Sequence, residues 1–461
     1  MAECVWSLSD RRIADLIVGC ARDPPGSDYL SLRPIGEGEM ARPKLATRGF
    51  IVLLLTLGLG VAGWMPTNSF LSVFVRDELG GSVLSAAFLV MGIHVGGAIF
   101  GLTASGWIRR FGSKSTFVVG LGGQIGFLAI LGLLPDIRWA IPLAPIAGMF
   151  LAYHWTGMQA YLIEVAPEER RGLASGIGSL VVVLSPGISG LFLSRLAADG
   201  GFSLFVTAAS VLVGMAFLLA LVALPRVLQV AEPLSWPRDH ALGWPVRTAT
   251  AVAQSAQASV SRSFRSLLRN RMILLSMVVR LTTALSFGVF NMLAGPKLVD
   301  AGGGFESLGL FVFGGAVAGG FAQVLVGSLS DRFGRRRLLA ISTVVAVGSS
   351  IAFGLVDSIP ILLVASSLHW FSQSAFQTLL VALVGDMVPR LDLGRAMTLQ
   401  TSAFMVGMFT GALIAGLLAT VSPLSAFFAT AAFLGVGLVA TLAMPTTGLA
   451  GVQTAESELQ K

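Results

Sequence analysis

The sequence predicts an all-α integral membrane protein with twelve transmembrane helices in two six-helix pseudo-repeats around a central cavity. Three observations predict it. The 461 residues are 54% hydrophobic and 12% charged, with a mean hydropathy of +0.82. A soluble domain carries about 25% charged residues, so this chain lacks the polar surface to cover a water-facing globule of its size. Between Phe50 and Met444 lie twelve apolar stretches, each near the roughly 20 residues that cross a hydrocarbon core. Finally, sliding the second half back by 222 residues, without a gap, superposes Gly92 on Gly314, Gly97 on Gly319, Pro167 on Pro389, Gly172 on Gly394 and Ala174 on Ala396.

Residues 1–47 are a polar N-terminal tail, expected to be cytoplasmic, and hold both cysteines, Cys4 and Cys20. A cytoplasmic tail keeps them reduced. "LIVGC" at 16–20 faintly resembles a lipoprotein cleavage site, but Asp15 interrupts the short apolar run before it. "MARPKLATRGF" from Met40 reads as an ordinary cytoplasmic start, so 1–39 is expected to be a disordered tail or a mis-set start.

The N-terminal bundle, 48–224, contains spans at 50–74, 83–105, 115–134, 140–163, 173–194 and 202–224. Uninterrupted runs such as "FIVLLLTLGLGVAGW" exclude a closed barrel, which needs alternating strands of about 10 residues. The first span carries Trp64, Asn68 and Ser72 at i, i+4, i+8. Between the second and third lies "SGWIRRFGSKS", a basic turn around Arg109, Arg110 and Gly112. His154, Tyr161 and Glu164 share one face of the fourth span, with Trp155 and Gln159 on the adjoining face.

Residues 225–271 form the long interior loop, a cytoplasmic linker with Pro225, Pro233, Pro237 and Pro245. Its second part can form a helix with Val260, Phe264, Leu267 and Leu268 on one side and Arg262, Arg265 and Arg269 toward lipid head groups. A flexible basic linker is the equal alternative. The C-terminal bundle, 272–445, contains spans at 272–295, 307–329, 338–356, 360–385, 396–419 and 424–444, followed by a cytoplasmic tail at 446–461. Arg280, Thr283 and Asn291 share a face of the seventh span. His369, Gln373 and Gln377 recur at i, i+4, i+8 on the tenth. The turn after the eighth span is "GSLSDRFGRRR" at 327–337, a fuller copy of the earlier one.

Charge orients the bundle. Of 31 Lys and Arg, 26 fall in the tails and even-numbered loops, four (Arg76, Arg138, Arg195, Lys297) in odd-numbered loops, and Arg280 inside a span. Basic residues in short loops stay on the cytoplasmic side, which places both termini there. The net charge of +7 and pI near 10.1 follow from the same rule and imply no nucleic-acid partner.

These residues resemble the major facilitator superfamily. Gly327, Leu329, Asp331, Arg332, Gly334, Arg335 and Arg336 are similar to its loop signature G-x-L-x-D-R-x-G-R-R, and the resemblance covers about 50 to 445. It implies parallel repeats with a site between them, reached alternately from either side. It also implies a latch that holds the cytoplasmic side shut. Gly334 permits a tight turn, Asp331 faces a helix N-terminus, and Arg335 and Arg336 pair with carboxylates. The implied partners are Glu164 and Arg171, with Asp386 and Arg395 serving the first-half loop. There the pattern departs, with Arg109 where the acid belongs and Ser105 where the first Gly belongs.

In that fold the first and fourth helices of each half line the cavity. The substrate and coupling candidates are therefore Arg280, His154, His369, Gln373, Gln377, Asn68, Gln159, Tyr161 and Asn291. Arg280 offers a fork for a carboxylate or phosphate. The histidines can carry a proton near neutral pH. No Asp or Glu lies deep in a span. The expected function is secondary transport of a small organic solute, with a lean toward anions, by a monomer in the cytoplasmic membrane. One alternative is proton-driven export of drugs or metabolites. In the drug-exporter branch the fourth helix tends to carry R-x-x-Q-G, where "YHWTG" has Tyr153 in the Arg position, and "SPGISG" is half a match to the fifth-helix motif, so export and import stay open. Another is a non-transporting sensor or assembly partner of the same fold. No enzyme motif, metal spacing, cofactor motif or P-loop occurs in the sequence.

Overall fold

The computed structural model describes residues 47–134, 136–167, 170–225, 267–388 and 390–444. Nearly all of the two tails and most of the linker lie outside them; of its amphipathic stretch only the end is described, with Leu267 buried and Leu268 and Arg269 exposed. Eleven helices follow in order: α1 Arg48–Asp77, α2 Val83–Phe111, α3 Ser113–Leu131, α4 Ile137–Val165, α5 Arg171–Ala223, α6 Arg271–Asp300, α7 Phe305–Phe333, α8 Arg335–Leu355, α9 Ile359–Met387, α10 Arg390–Ala419 and α11 Pro423–Leu442. The fifth and sixth expected spans are one hydrogen-bonded run in α5, broken inside by non-helical dihedrals at Gly200 and Gly201. Gly201 has φ +69°, a conformation that only glycine adopts without strain.

Short polar caps start the helices. Thr47 accepts from the Phe50 N–H at 3.2 Å, Asp136 from Arg138 at 2.8 Å and Asn270 from Met272 at 2.9 Å. Each satisfies a backbone donor left free by the first turn. Ser82 and Ser85 cap α2 reciprocally. At the opposite ends of α2 and α7, Gly112 (φ +86°) and Gly334 (φ +82°) reverse the chain within one residue. These are the two glycine-hinged basic turns.

Nine helices among the described residues are long and apolar enough to cross a membrane. This differs from the twelve expected stretches for two reasons. α5 counts once despite its break, and α4 and α9 fall below the apolar threshold although each is 29 residues long. Those two helices carry His154 and Gln159, and His369, Gln373 and Gln377.

Packing partners recur. α1 packs on α5, α2 on α4 and α3 on α4, while α6 packs on α10, α7 on α9 and α8 on α9. Between the two groups, α5 meets α7 and α10 meets α2. Small residues permit the closest approaches, as expected where helices associate without water's help. A Cβ at Gly148 on α4 would sit 1.9 Å from the Ile93 carbonyl of α2, and one at Gly411 on α10 would sit 2.2 Å from the Leu285 carbonyl of α6.

One end joins the two groups firmly. Arg76 bonds Asp300 at 2.9 Å and its neighbour Asp77 at 2.7 Å, and Gly295 of α6 lies against Ser69 and Val73 of α1. Beneath the ion pair, Phe74 stacks on Phe202 and Phe70 stacks on Phe205 and Phe305. The α5–α7 contacts Ser194–Gly309 and Gly190–Val312 lie toward this end too.

Gly148→Ala should lower stability by about 1–3 kcal/mol, because backbone atoms block the new methyl. Gly126→Ala, with nothing within 4 Å of its Cβ, should be near neutral. Thermal unfolding in detergent compares them, and equal melting of the two variants would refute the close α2–α4 approach.

Candidate functional site

The richest polar cluster is built by α6, α9, α8 and α10. Arg280 lies nine residues into α6, roughly 14 Å along it at 1.5 Å per residue. It is 8% exposed, donates from Nη2 to the Gln377 amide oxygen at 2.9 Å, and lays its guanidinium 4.4 Å from the Phe404 ring centre. Its Nε is buried without a partner. No ion pair to Arg280 occurs among the described residues. One turn earlier, Ser276 accepts from the Gln400 amide of α10 at 2.8 Å. One turn before Gln373, and two before Gln377, α9 carries His369, which stacks on Phe290 at 3.9 Å and meets Ser350 and Gln373 at 3.3 Å. Gln373 also donates to the Thr283 carbonyl.

The first half has a smaller counterpart between α1, α3 and α4. His154 Nδ1 bonds the Gln124 side-chain oxygen at 3.0 Å, edge-on to Phe117 and against Gly60. An amide oxygen only accepts, so Nδ1 carries the proton and Nε2 presents a lone pair. That lone pair is buried and unpartnered, as are Gln124 Nε2 and Trp64 Nε1.

The remaining candidates are dispersed. Tyr161 donates to the Pro225 carbonyl at the end of α5, and Asn291 donates back to Phe287 of its own helix. Asn68 is half-buried on α1, while the Ser72 hydroxyl one turn on is buried and unpartnered. Gln159 is exposed and lines a cavity of about 400 Å³ between α4, α5 and α7, with Trp155, Ser175, Ser179 and Gln323.

At the turn end, three of the expected latch residues make contacts within their own halves. Arg335 pairs with Asp386 of its own half and donates to the Ala382 carbonyl, and Arg336 donates to the Leu442 carbonyl. Glu164 accepts from Ser113, also within its half. Arg110 lies over Phe111, Arg332 is exposed, and Gly327 faces Thr378. The side chains of Arg109, Arg171, Asp331 and Arg395 lie outside those described.

Sequence reasoning missed Gln124, Gln323, Gln400, Ser350 and Phe404. The three glutamines carried a usable signal, since an amide inside an apolar run needs a partner. All three lie outside the first and fourth helices of each half. Phe404 had no signal, being one apolar residue among many.

Comparison with known proteins adds the family. Residues 52–295, and again 277–459, match the Major Facilitator Superfamily. Two uncharacterized MFS-type transporters, from two strains of Mycobacterium tuberculosis, are 32% identical over 142 residues. That stretch is 29% of this chain and spans only 21% of those proteins' length. Among solved structures, a bacterial homolog of the human lysosomal transporter Spinster, inward-facing and unoccupied, superposes with TM-score 0.67 at 13% identity. The match covers 87% of this chain and 98% of that one. An auto-inhibited POT family peptide transporter gives TM-score 0.63 at 14% identity over 86% and 96%. The likeness to both is one of fold. With the family pattern running across nearly all the described helices, the chain belongs to the major facilitator superfamily.

Proposed function

We propose that the chain is a secondary transporter carrying a small organic anion across the cytoplasmic membrane by alternating access. In this reading it is a twelve-span bundle of two six-helix repeats with both termini cytoplasmic. The two arms of α5 around Gly200–Gly201 each count as a span. α4 and α9 cross as well, their low apolarity being the cost of lining the site. The recurring packing partners support two repeats, and the basic even-numbered loops support the orientation. The Arg76–Asp300 end is then the outer face, closed here, while the exposed Gln159 and Gln377 face an opening toward the cytoplasm.

The observation that carries the anion reading is Arg280. A guanidinium at this depth costs at least about 2.5–3.5 kcal/mol on insertion scales, so something must compensate for it. The Gln377 oxygen and the Phe404 face do so in part, and neither neutralises the charge. A bound carboxylate or phosphate would. Such a charge-assisted contact is worth on the order of 1.5–3 kcal/mol, roughly 10- to 150-fold in affinity. His154 is the candidate for proton coupling, because it sits on α4 with a free lone pair in a polar pocket.

A substrate-panel uptake assay in vesicles, with and without an imposed pH gradient, tests the whole reading. Arg280→Lys keeps the charge but loses the fork, so it should weaken substrate binding, and Arg280→Gln should weaken it by roughly 10- to 150-fold. Thermal stability measured beside binding separates this from misfolding. Normal binding by Arg280→Gln, or a cationic substrate, would make Arg280 a structural charge. His154→Gln should make transport insensitive to the pH gradient while exchange persists. Gradient-driven accumulation retained in that variant would remove His154 from coupling.

A further inference from the structure

The Arg280 cluster holds a second unfilled valence, of opposite sense to the guanidinium. On α10, Gln400 and Phe404 lie one turn apart. They face Ser276 and Arg280, also one turn apart on α6, through the 2.8 Å amide–hydroxyl bond and the 4.4 Å guanidinium–ring contact. The two rungs form one short ladder, and each leaves one polar atom free. Those atoms are Arg280 Nε and Gln400 Oε1, both buried and both without a partner. Gln400 is 5% exposed and Arg280 8%.

The orientation of the Gln400 amide follows from its neighbour. Ser276 has one hydroxyl proton and gives it to the Ile273 carbonyl at 2.7 Å. Its oxygen can then only accept from Gln400, which fixes the NH2 toward Ser276 and leaves the carbonyl oxygen outward. The site therefore presents a donor that requires an acceptor and, beside it, an acceptor that requires a donor. A plain carboxylate answers the first and leaves the second buried and unpaired.

We infer that this site selects anions that carry a hydroxyl on or next to the charged group, such as 2-hydroxycarboxylates or hydrogen-phosphate esters. The inference rests on the anion reading of Arg280 and adds the donor requirement to it. The charged group binds the guanidinium, the hydroxyl donates to Gln400 Oε1, and the Phe404 ring covers one side. An analogue lacking the hydroxyl strands the Gln400 oxygen, and sites built on a buried hydrogen bond discriminate strongly against such analogues.

Mandelate and phenylacetate differ by that one hydroxyl. Each is titrated into the purified full-length protein in lipid nanodiscs, with binding read by calorimetry. Mandelate should bind at least about tenfold tighter. Gln400→Leu should bring the two acids close to equal by weakening mandelate alone, and Arg280→Gln should weaken both. The wild-type pair needs no variant, so it decides the donor requirement even where Gln400→Leu fails to fold. In that case Gln400→Glu, which sets a charge against the anion, should weaken both acids. Equal binding of the two acids to the wild type overturns the donor requirement and leaves the anion reading intact. A preference for mandelate that persists in Gln400→Leu removes Gln400 from the site. If neither acid binds at millimolar concentration, the anion reading falls, and this inference with it.

Discussion

Hydrocarbon offers no hydrogen bonds, so a polar side chain on a spanning helix must find its partner on the same or another helix. That constraint organises the molecule. Gln124 and His154 tie α3 to α4, and Ser350 and His369 tie α8 to α9. Gln373 reaches the Thr283 carbonyl to tie α9 to α6, and Gln400 and Ser276 tie α10 to α6. Ser189 donates to the Ala62 carbonyl and ties α5 to α1. All but the α9–α6 bond follow the principal packing pairs, and small residues then let the backbones close up around them. At Arg280, Gln400, His154 and Trp64, among others, a buried polar atom has no partner among the described residues.

Much of this was legible from residues alone. The apolar runs place most helices, because a span's length is dictated by the thickness it crosses. Their ends run past the apolar core on both sides. α1 spans Arg48–Asp77 against an expected 50–74, since a helix continues until a cap or a glycine stops it. The break at Gly200–Gly201 could be anticipated as a boundary between spans, although not as a kink inside a continuous run. α4 and α9 are legible as apolar stretches between polar loops, although their polar residues lower the mean hydropathy.

The site was legible in part. Arg280, His369, Gln373 and Gln377 were named from spacing and do come together. Tyr161 and Asn291 share the same helical faces by count, yet bond away from the cluster, because spacing gives a direction around the axis and not the neighbour met there. The latch partners were legible least. Arg335 takes Asp386 of its own half, a partner set by tertiary packing that no local pattern encodes.

The Arg76–Asp300 pair joins residues 224 apart in the chain, and their side chains are 26% and 59% exposed. Such a pair is worth about 0–1 kcal/mol, and dissolved ions screen it over roughly 8 Å at physiological ionic strength. The stacked phenylalanines beneath it are indifferent to ions. The clasp thus combines a salt-sensitive element with a salt-insensitive one. In the proposed orientation the exposed pair meets the outer medium, and the balance between closed and open forms would then be coupled to the electrolyte outside, shifting toward opening as that medium becomes more saline.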